Sequence, residues 1–206
     1  MALARTDYAG IDTGADWRLS AAALLHVRWR IRPALVIMSA PMLRLSAMLL
    51  GMPDGHSLST LRELAAEHSW LEAAVDELRD LPLPQWQAEH TRLFINGYPK
   101  TPCAPFESIY RHGRMEGPAC DELARLYADA GLVAADDLPT DYLGTMLDFA
   151  ALLLERGTSE AELQLQELRG KHLTLWLPRF CARLTQESRL KLYRDLGEQL
   201  RAWTGV

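Results

Sequence analysis

Cysteine is scarce in this chain, which argues against a fold stabilised by disulfides. The three cysteines are Cys103, Cys120 and Cys181, and none belongs to a C-x-x-C pair. An odd, scattered set does not build a disulfide framework, so the sequence favours a reducing compartment. Cys103 lies in a proline-rich stretch, where it is either a reactive thiol or a small, semi-buried residue that fills space.

An excess of positive charge and a long apolar run are also missing. The formal net charge of −5 does not support nucleic-acid binding, which favours basic faces. The longest apolar stretch, Ala34 to Leu50, contains Pro41 and Arg44 and is too short to span a bilayer comfortably. No small-residue cleavage site follows a basic N-terminal region. We therefore expect a cytoplasmic, unprocessed protein with no membrane span.

The usual patterns of catalysis and cofactor binding are absent from the sequence. The six histidines include no H-x-x-x-H pair, and neither a phosphate-binding G-x-x-x-x-G-K-[ST] nor a dinucleotide-binding G-x-G-x-x-G occurs. We expect no bound metal or other cofactor and no enzymatic activity. One alternative remains open, an all-α metal-dependent hydrolase that uses carboxylates and an imidazole: Glu107, His112, Asp141 and Asp148.

Helical periodicity predicts an all-α protein. Residues 1–16 contain Gly10 and Gly14 without a period and predict a flexible tail, whereas 17–206 form a single helical domain. Pro33 suits the first turn of a helix that would run to Gly51 with a kink at Pro41. The most apolar helix follows Asp141 and ends at Gly157, so we predict that it is central and buried.

The most informative stretch is residues 89–110, EHTRLFINGYPKTPCAPFESIY. It begins on a helix whose apolar stripe consists of Trp86, His90, Leu93 and Phe94. Three prolines then restrict a loop, because each fixes φ and removes a backbone donor. Ser108 has no adjacent base in the sequence, which argues against a serine nucleophile. A stiff loop with aromatic faces, a carboxylate and a hydroxyl indicates recognition of a partner rather than chemistry.

This stretch resembles the signature of the TorD/DmsD/NarJ family of redox-enzyme maturation chaperones. The matching residues are Glu89, Leu93, Phe94, Gly97, Pro102, Pro105, Phe106, Glu107, Ser108 and Tyr110. A second block is similar to the family's Pro-x-Asp-His-Leu motif, with Pro139, Asp141, Leu143, Leu147 and Phe149. Two of its positions depart from the family, because Tyr142 replaces the usual His and Met146 replaces a frequent Glu. A third, weaker block contains His172, Leu173, Trp176, Pro178 and Phe180.

The resemblance implies a TorD-like helical bundle that binds the catalytic subunit of a molybdopterin oxidoreductase and its twin-arginine leader peptide. Such a chaperone assists cofactor insertion into its client and delays export; the alternative is a permanently bound assembly subunit. The oligomeric state, monomer or domain-swapped homodimer, stays open. Asp141 is either a helix cap or a groove carboxylate that pairs with an arginine. The predicted client-binding residues are Phe94, Tyr98, Pro105, Phe106, Glu107, Ser108, Tyr110, Pro139, Asp141 and Tyr142.

Overall fold

A computed structural model describes residues 38–133 and 139–204, which belong to one compact unit spanning 34–206. The predicted tail (1–16) and the first part of the predicted helical domain (17–37) lie outside these residues. The described ranges are helical and contain no β-strand, which confirms the all-α prediction. The α-helices are α1 (Ala40–Leu49), α2 (Ser57–Ala65), α3 (Glu72–Arg79), α4 (Leu83–His90), α5 (Glu107–His112), α6 (Pro118–Asp129), α7 (Leu143–Arg156), α8 (Ser159–Glu167), α9 (Thr174–Glu187) and α10 (Lys191–Thr204).

Helix α1 starts later than the sequence pattern predicts. Residues 38 and 39 are not helical, and the side chain of Ser39 caps the helix by accepting a hydrogen bond from the Met42 N–H at 3.4 Å. Pro41 then occupies the first turn, where its missing N–H costs nothing. The predicted kink at Pro41 is therefore wrong, because Pro41 begins the helix instead of interrupting it.

Helix α7 is the buried centre that its composition predicts. Leu143, Leu147 and Ala150 are fully buried, and the helix packs against α1 and α8. Gly157 ends it in the left-handed conformation with φ of 60°, which glycine adopts without steric cost. Helices α9 and α10 pack together, and the apolar stripe of α10 enters the same core through Tyr193, Leu196, Leu200 and Trp203.

Two π-helical segments interrupt the regular helices. The first, Thr91–Ile95, continues α4, and the second, Leu168–Leu173, joins α8 to α9. Gly170 lies inside the second segment, and Pro178 is accommodated within α9. Such wide turns rotate the side chains that follow them and are frequent at functional sites. Both segments contain residues of the blocks identified from the sequence.

None of the helices in the described ranges combines the length and the hydropathy that crossing a bilayer requires.

Candidate functional site

The proline loop, residues 96–106, is anchored on the carbonyl groups of the first π-helical segment. The Cys103 N–H donates to the Leu93 carbonyl at 2.9 Å, and the Thr101 hydroxyl donates to the Ile95 carbonyl at 3.1 Å. These contacts satisfy carbonyl groups that a helix end leaves without partners. Cys103 is fully buried beneath the loop. The loop is thus fastened at its middle as well as at its ends.

The start of α5 joins the proline loop to the second block of the sequence. Phe106 and Tyr142 form an antiparallel β-bridge, and their rings lie 5.6 Å apart. The Leu143 N–H donates to the Pro105 carbonyl at 2.8 Å. The Asp141 carboxylate accepts a hydrogen bond from the Ser108 N–H at 2.7 Å. Asp141 therefore caps α5, which begins in the first block. The prediction that it caps the helix that follows it is wrong, because the start of α7 has no side-chain cap hydrogen bond.

Glu107 connects α5 to the third block. Its side chain has 0% exposure and accepts a hydrogen bond from Arg111 at 2.6 Å. The His172 Nδ1 lies 3.0 and 3.1 Å from the two Glu107 oxygens, within hydrogen-bonding distance of both. His172 belongs to the second π-helical segment. The three blocks, distant along the chain, consequently meet around the six-residue helix α5.

A second buried carboxylate, Glu89, lies at the start of the first block, residues 89–110, and accepts several hydrogen bonds. Glu89 receives two hydrogen bonds of 2.8 Å from the Arg92 guanidinium and one of 2.8 Å from the Arg189 N–H. Arg92 also donates to the Glu187 carbonyl at 2.6 Å. Burial of Glu89 opposes its ionisation, but the hydrogen bonds from Arg92 and the Arg189 N–H outweigh that effect and lower the pKa of Glu89.

Because the pKa of Glu89 is lower in the folded protein, ionised Glu89 stabilises the fold above its unfolded pKa of about 4.3. That stabilisation is lost as the pH falls through the folded pKa. We expect Glu89→Gln to lower the free energy of unfolding by about 1.5–3 kcal/mol at pH 7 and by less in acid. Urea unfolding at neutral and acidic pH measures the difference, with the exposed Glu198→Gln as the control. An equal loss at both pH values would contradict this role.

An open groove of about 670 Å³ lies beside the proline loop and α5. Its size falls within the range of protein ligand sites, about 300–1,000 Å³. Its walls are mainly apolar, and Lys100 and Arg183 supply the charges. Ile95 is 57% exposed and Met115 is 42% exposed, so apolar surface faces solvent. The lining residues are Phe94, Ile95, Lys100, Thr101, Ala104, Phe106, Ile109, Gly113, Met115 and Arg183.

Of the ten residues predicted to bind a client, Phe94 and Phe106 line this groove. Tyr142 packs behind Phe106 and donates from its hydroxyl to the Leu50 carbonyl at 3.1 Å. Tyr98 is 100% exposed at the tip of the loop. The remaining six predicted residues do not line the groove. Four of them are buried (Pro105, Glu107, Ser108 and Asp141), and two are partly buried (Tyr110 and Pro139).

The sequence prediction missed most of the groove. Ile109 could have been found, because it lies three residues after Phe106 and so follows the same side of the short helix. Met115 is part of a glycine-bounded turn, and Arg183 lies on α9, far along the chain. Neither carries a local signal that separates it from ordinary surface residues.

The thiols are poor nucleophiles. Burial raises the pKa of Cys103 and of Cys181 to about 12, and burial together with the Asp141 carboxylate raises the pKa of Cys120 to about 11. Within the described part of the chain, no group of three or more His, Cys, Asp or Glu side chains is arranged to hold a metal ion. The hydrolase alternative grouped Glu107, His112, Asp141 and Asp148. The observed partners of the three carboxylates differ, being His172 for Glu107, the Ser108 N–H for Asp141 and Arg44 for Asp148, and His112 is exposed.

The fold and the three convergent blocks define a helical protein of the redox-enzyme maturation type. A solved structure from Archaeoglobus fulgidus, described as a "putative redox enzyme maturation protein", matches with a TM-score of 0.61 and 25% sequence identity. The match covers 80% of this chain and 92% of that one. No curated protein matches the chain.

The family model described as the nitrate reductase delta subunit matches residues 58–182, more than half of the chain. The chain belongs to this family, and the resemblance to the TorD/DmsD/NarJ chaperones is confirmed. The matched range contains all three blocks and every residue that lines the groove except Arg183. The family is one of maturation chaperones and not of catalytic enzymes.

Proposed function

We propose that this protein is a cytoplasmic chaperone for the catalytic subunit of a molybdopterin oxidoreductase. It binds the twin-arginine leader of the subunit, assists insertion of the molybdenum cofactor into the client and delays export until the client is folded. The observation that carries the proposal is the open apolar groove beside the signature loop. Exposed apolar surface of this kind is typical of peptide-binding sites.

The groove suits an apolar peptide because hydrogen bonds within the protein already fix the residues around it in the absence of a peptide. The loop wall is fixed by the Cys103 and Thr101 hydrogen bonds, and the α5 wall is fixed by Asp141 and Glu107. A preorganised site avoids part of the entropy cost of ordering its own side chains on binding. Family membership supports the same role independently of the groove.

The buried signature residues then act by shaping the groove. Asp141, Glu107 and Ser108 have 0% exposure, so a peptide does not reach them without rearrangement of α5. Asp141 positions the first turn of α5, and Pro105 and Pro139 restrict the two segments that pair there. Phe106 and Phe94 line the groove, although Phe94 is only 4% exposed, and Tyr142 contacts the ring of Phe106.

Affinity purification of the tagged protein from its native cells tests the function. We expect it to capture the catalytic subunit of a molybdopterin oxidoreductase in a form that lacks molybdenum. Mature subunit, with its cofactor and a stoichiometric amount of this chain, would instead show a permanent assembly subunit, as the family description "delta subunit" suggests. Capture of no molybdopterin oxidoreductase in either form would contradict both functions.

A charge placed in the groove should weaken leader binding. Ile95 is a groove residue with a largely exposed side chain, so Ile95→Glu should fold normally but bury a carboxylate when an apolar peptide binds. We expect the affinity for a synthetic leader peptide of the captured subunit to fall about tenfold or more. Titration calorimetry measures the affinity, and circular dichroism checks the fold.

Leu163→Glu provides the matched control for this variant. Leu163 is 66% exposed on α8 and does not line the groove, so the same loss of an apolar side chain and gain of a carboxylate occurs elsewhere. Its peptide affinity should equal that of the unmodified protein. Equal affinities for all three proteins would place the leader outside the groove.

A further inference from the structure

The charged side chains that line the groove are both positive, although the chain as a whole is negative. Lys100 and Arg183 line it, and no Asp or Glu is among its described lining residues, against a formal net charge of −5. Both cations lie on exposed side chains. In the described part of the chain, neither has a carboxylate within the 4.0 Å that defines an ion pair.

Among the described residues, Arg183 contacts an aromatic ring and not an acid. Its guanidinium lies 5.4 Å from the centre of the Tyr110 ring, in cation–π geometry. Tyr110 is fixed in turn by packing against Trp176, with ring centres 5.1 Å apart. Glu187, the acidic residue of α9, follows one turn later and does not line the groove. The Arg183 guanidinium therefore lies against the Tyr110 ring and, within the described residues, forms no ion pair with a carboxylate.

We propose that the groove selects an apolar client segment that carries an acidic side chain, with the carboxylate paired to Arg183 and the arginines of the leader outside the groove. The inference rests on the proposed function and adds the charge of the segment that enters. An Arg guanidinium pairs with a carboxylate through two parallel hydrogen bonds. An arginine pair in the same place would face two like charges, which disfavours it.

Two synthetic, fluorescein-labelled peptides of the same leucine-alanine core test the proposal, one flanked by glutamates and one by arginines. We expect the acidic peptide to bind about tenfold or more tightly, and the difference to shrink as salt is added. Arg183→Glu should abolish or reverse the preference. Arg183→Gln, which avoids a new negative charge, should reduce it.

Arg62→Glu is the control, because Arg62 is an exposed residue of α2 that does not line the groove. It introduces the same charge change and should keep the preference for the acidic peptide. Equal affinity for the two peptides, tighter binding of the basic one, or no binding of either would overturn the inference. None of these results affects the capture of a molybdopterin oxidoreductase from cells, so the chaperone function is tested separately.

Discussion

Replacing Glu107 with Ala is expected to lower the free energy of unfolding by about 3–5 kcal/mol, the usual cost of removing one partner from a buried ion pair. Glu107 is completely buried and accepts a hydrogen bond from Arg111, and His172 Nδ1 lies 3.0 Å from its carboxylate. Its removal leaves the buried His172 without this partner and takes from Arg111, whose side chain is 24% exposed, its short contact with a buried carboxylate. Urea-induced unfolding, followed by circular dichroism, measures the loss.

Glu122→Ala is the matched control, because Glu122 lies near the same Arg111 guanidinium but on the solvent-exposed surface. Its carboxylate lies 3.7 Å from Arg111 and is 45% exposed. Solvent screens such a contact, so its removal should cost less than about 1 kcal/mol. Glu107→Gln retains the shape of the side chain and should fall between the two. Similar losses for Glu107→Ala and Glu122→Ala would show that burial of Glu107 contributes nothing.

Gly97→Ala should displace the proline loop and impair both stability and client binding. A methyl group at position 97 would lie 2.6 Å from the Arg92 carbonyl, 2.6 Å from Pro102 Cδ and 3.0 Å from the Lys100 carbonyl. Two of these neighbours are backbone atoms that cannot turn aside. Overpacking of this kind costs about 1–3 kcal/mol. Because Lys100 and Thr101 line the groove, we expect leader affinity to fall about tenfold or more as well.

Gly55→Ala separates this steric effect from the general effect of replacing glycine. A methyl group at Gly55 meets no atom within 4 Å, and Gly55 does not line the groove. Its stability should change by no more than about 0.5 kcal/mol, with peptide affinity unchanged. Thermal unfolding and calorimetric titration of the two variants provide the comparison. A Gly97→Ala protein with normal stability and affinity would show that the loop tolerates displacement.

Local patterns in the sequence were sufficient to predict the all-α fold and many of the buried positions. The stripe formed by Trp86, His90, Leu93 and Phe94 is buried as its spacing predicts, and Gly157 ends α7. These features depend on periodicity and capping, which act over a few residues. The start of α1 was misplaced because Pro41 suits both a kink and a first turn, and only the Ser39 cap distinguishes the two.

The site was harder to predict because its surface is composed of residues that are distant in sequence. The motif alone does not distinguish a client contact from a structural role at Asp141 and Glu107, and the structure places both side chains in the interior, where they hydrogen-bond to residues of α5. A motif shows that a residue type is needed, but not whether it contacts a partner or positions a neighbour. Arg183 reaches the groove through tertiary packing across Tyr110, which no pattern along α9 reports.

Helix α5 has six residues, and an isolated helix of that length is not stable in water. Its supports come from 33 and 65 positions further along the chain, through Asp141 and His172. Contacts between such distant positions form only after long stretches of chain have been brought together. One wall of the groove therefore exists only once the domain around it has closed. Under the proposed function, a chain that is still folding lacks this wall and has no groove for a client, so binding of a client would itself report that folding of the chaperone is complete.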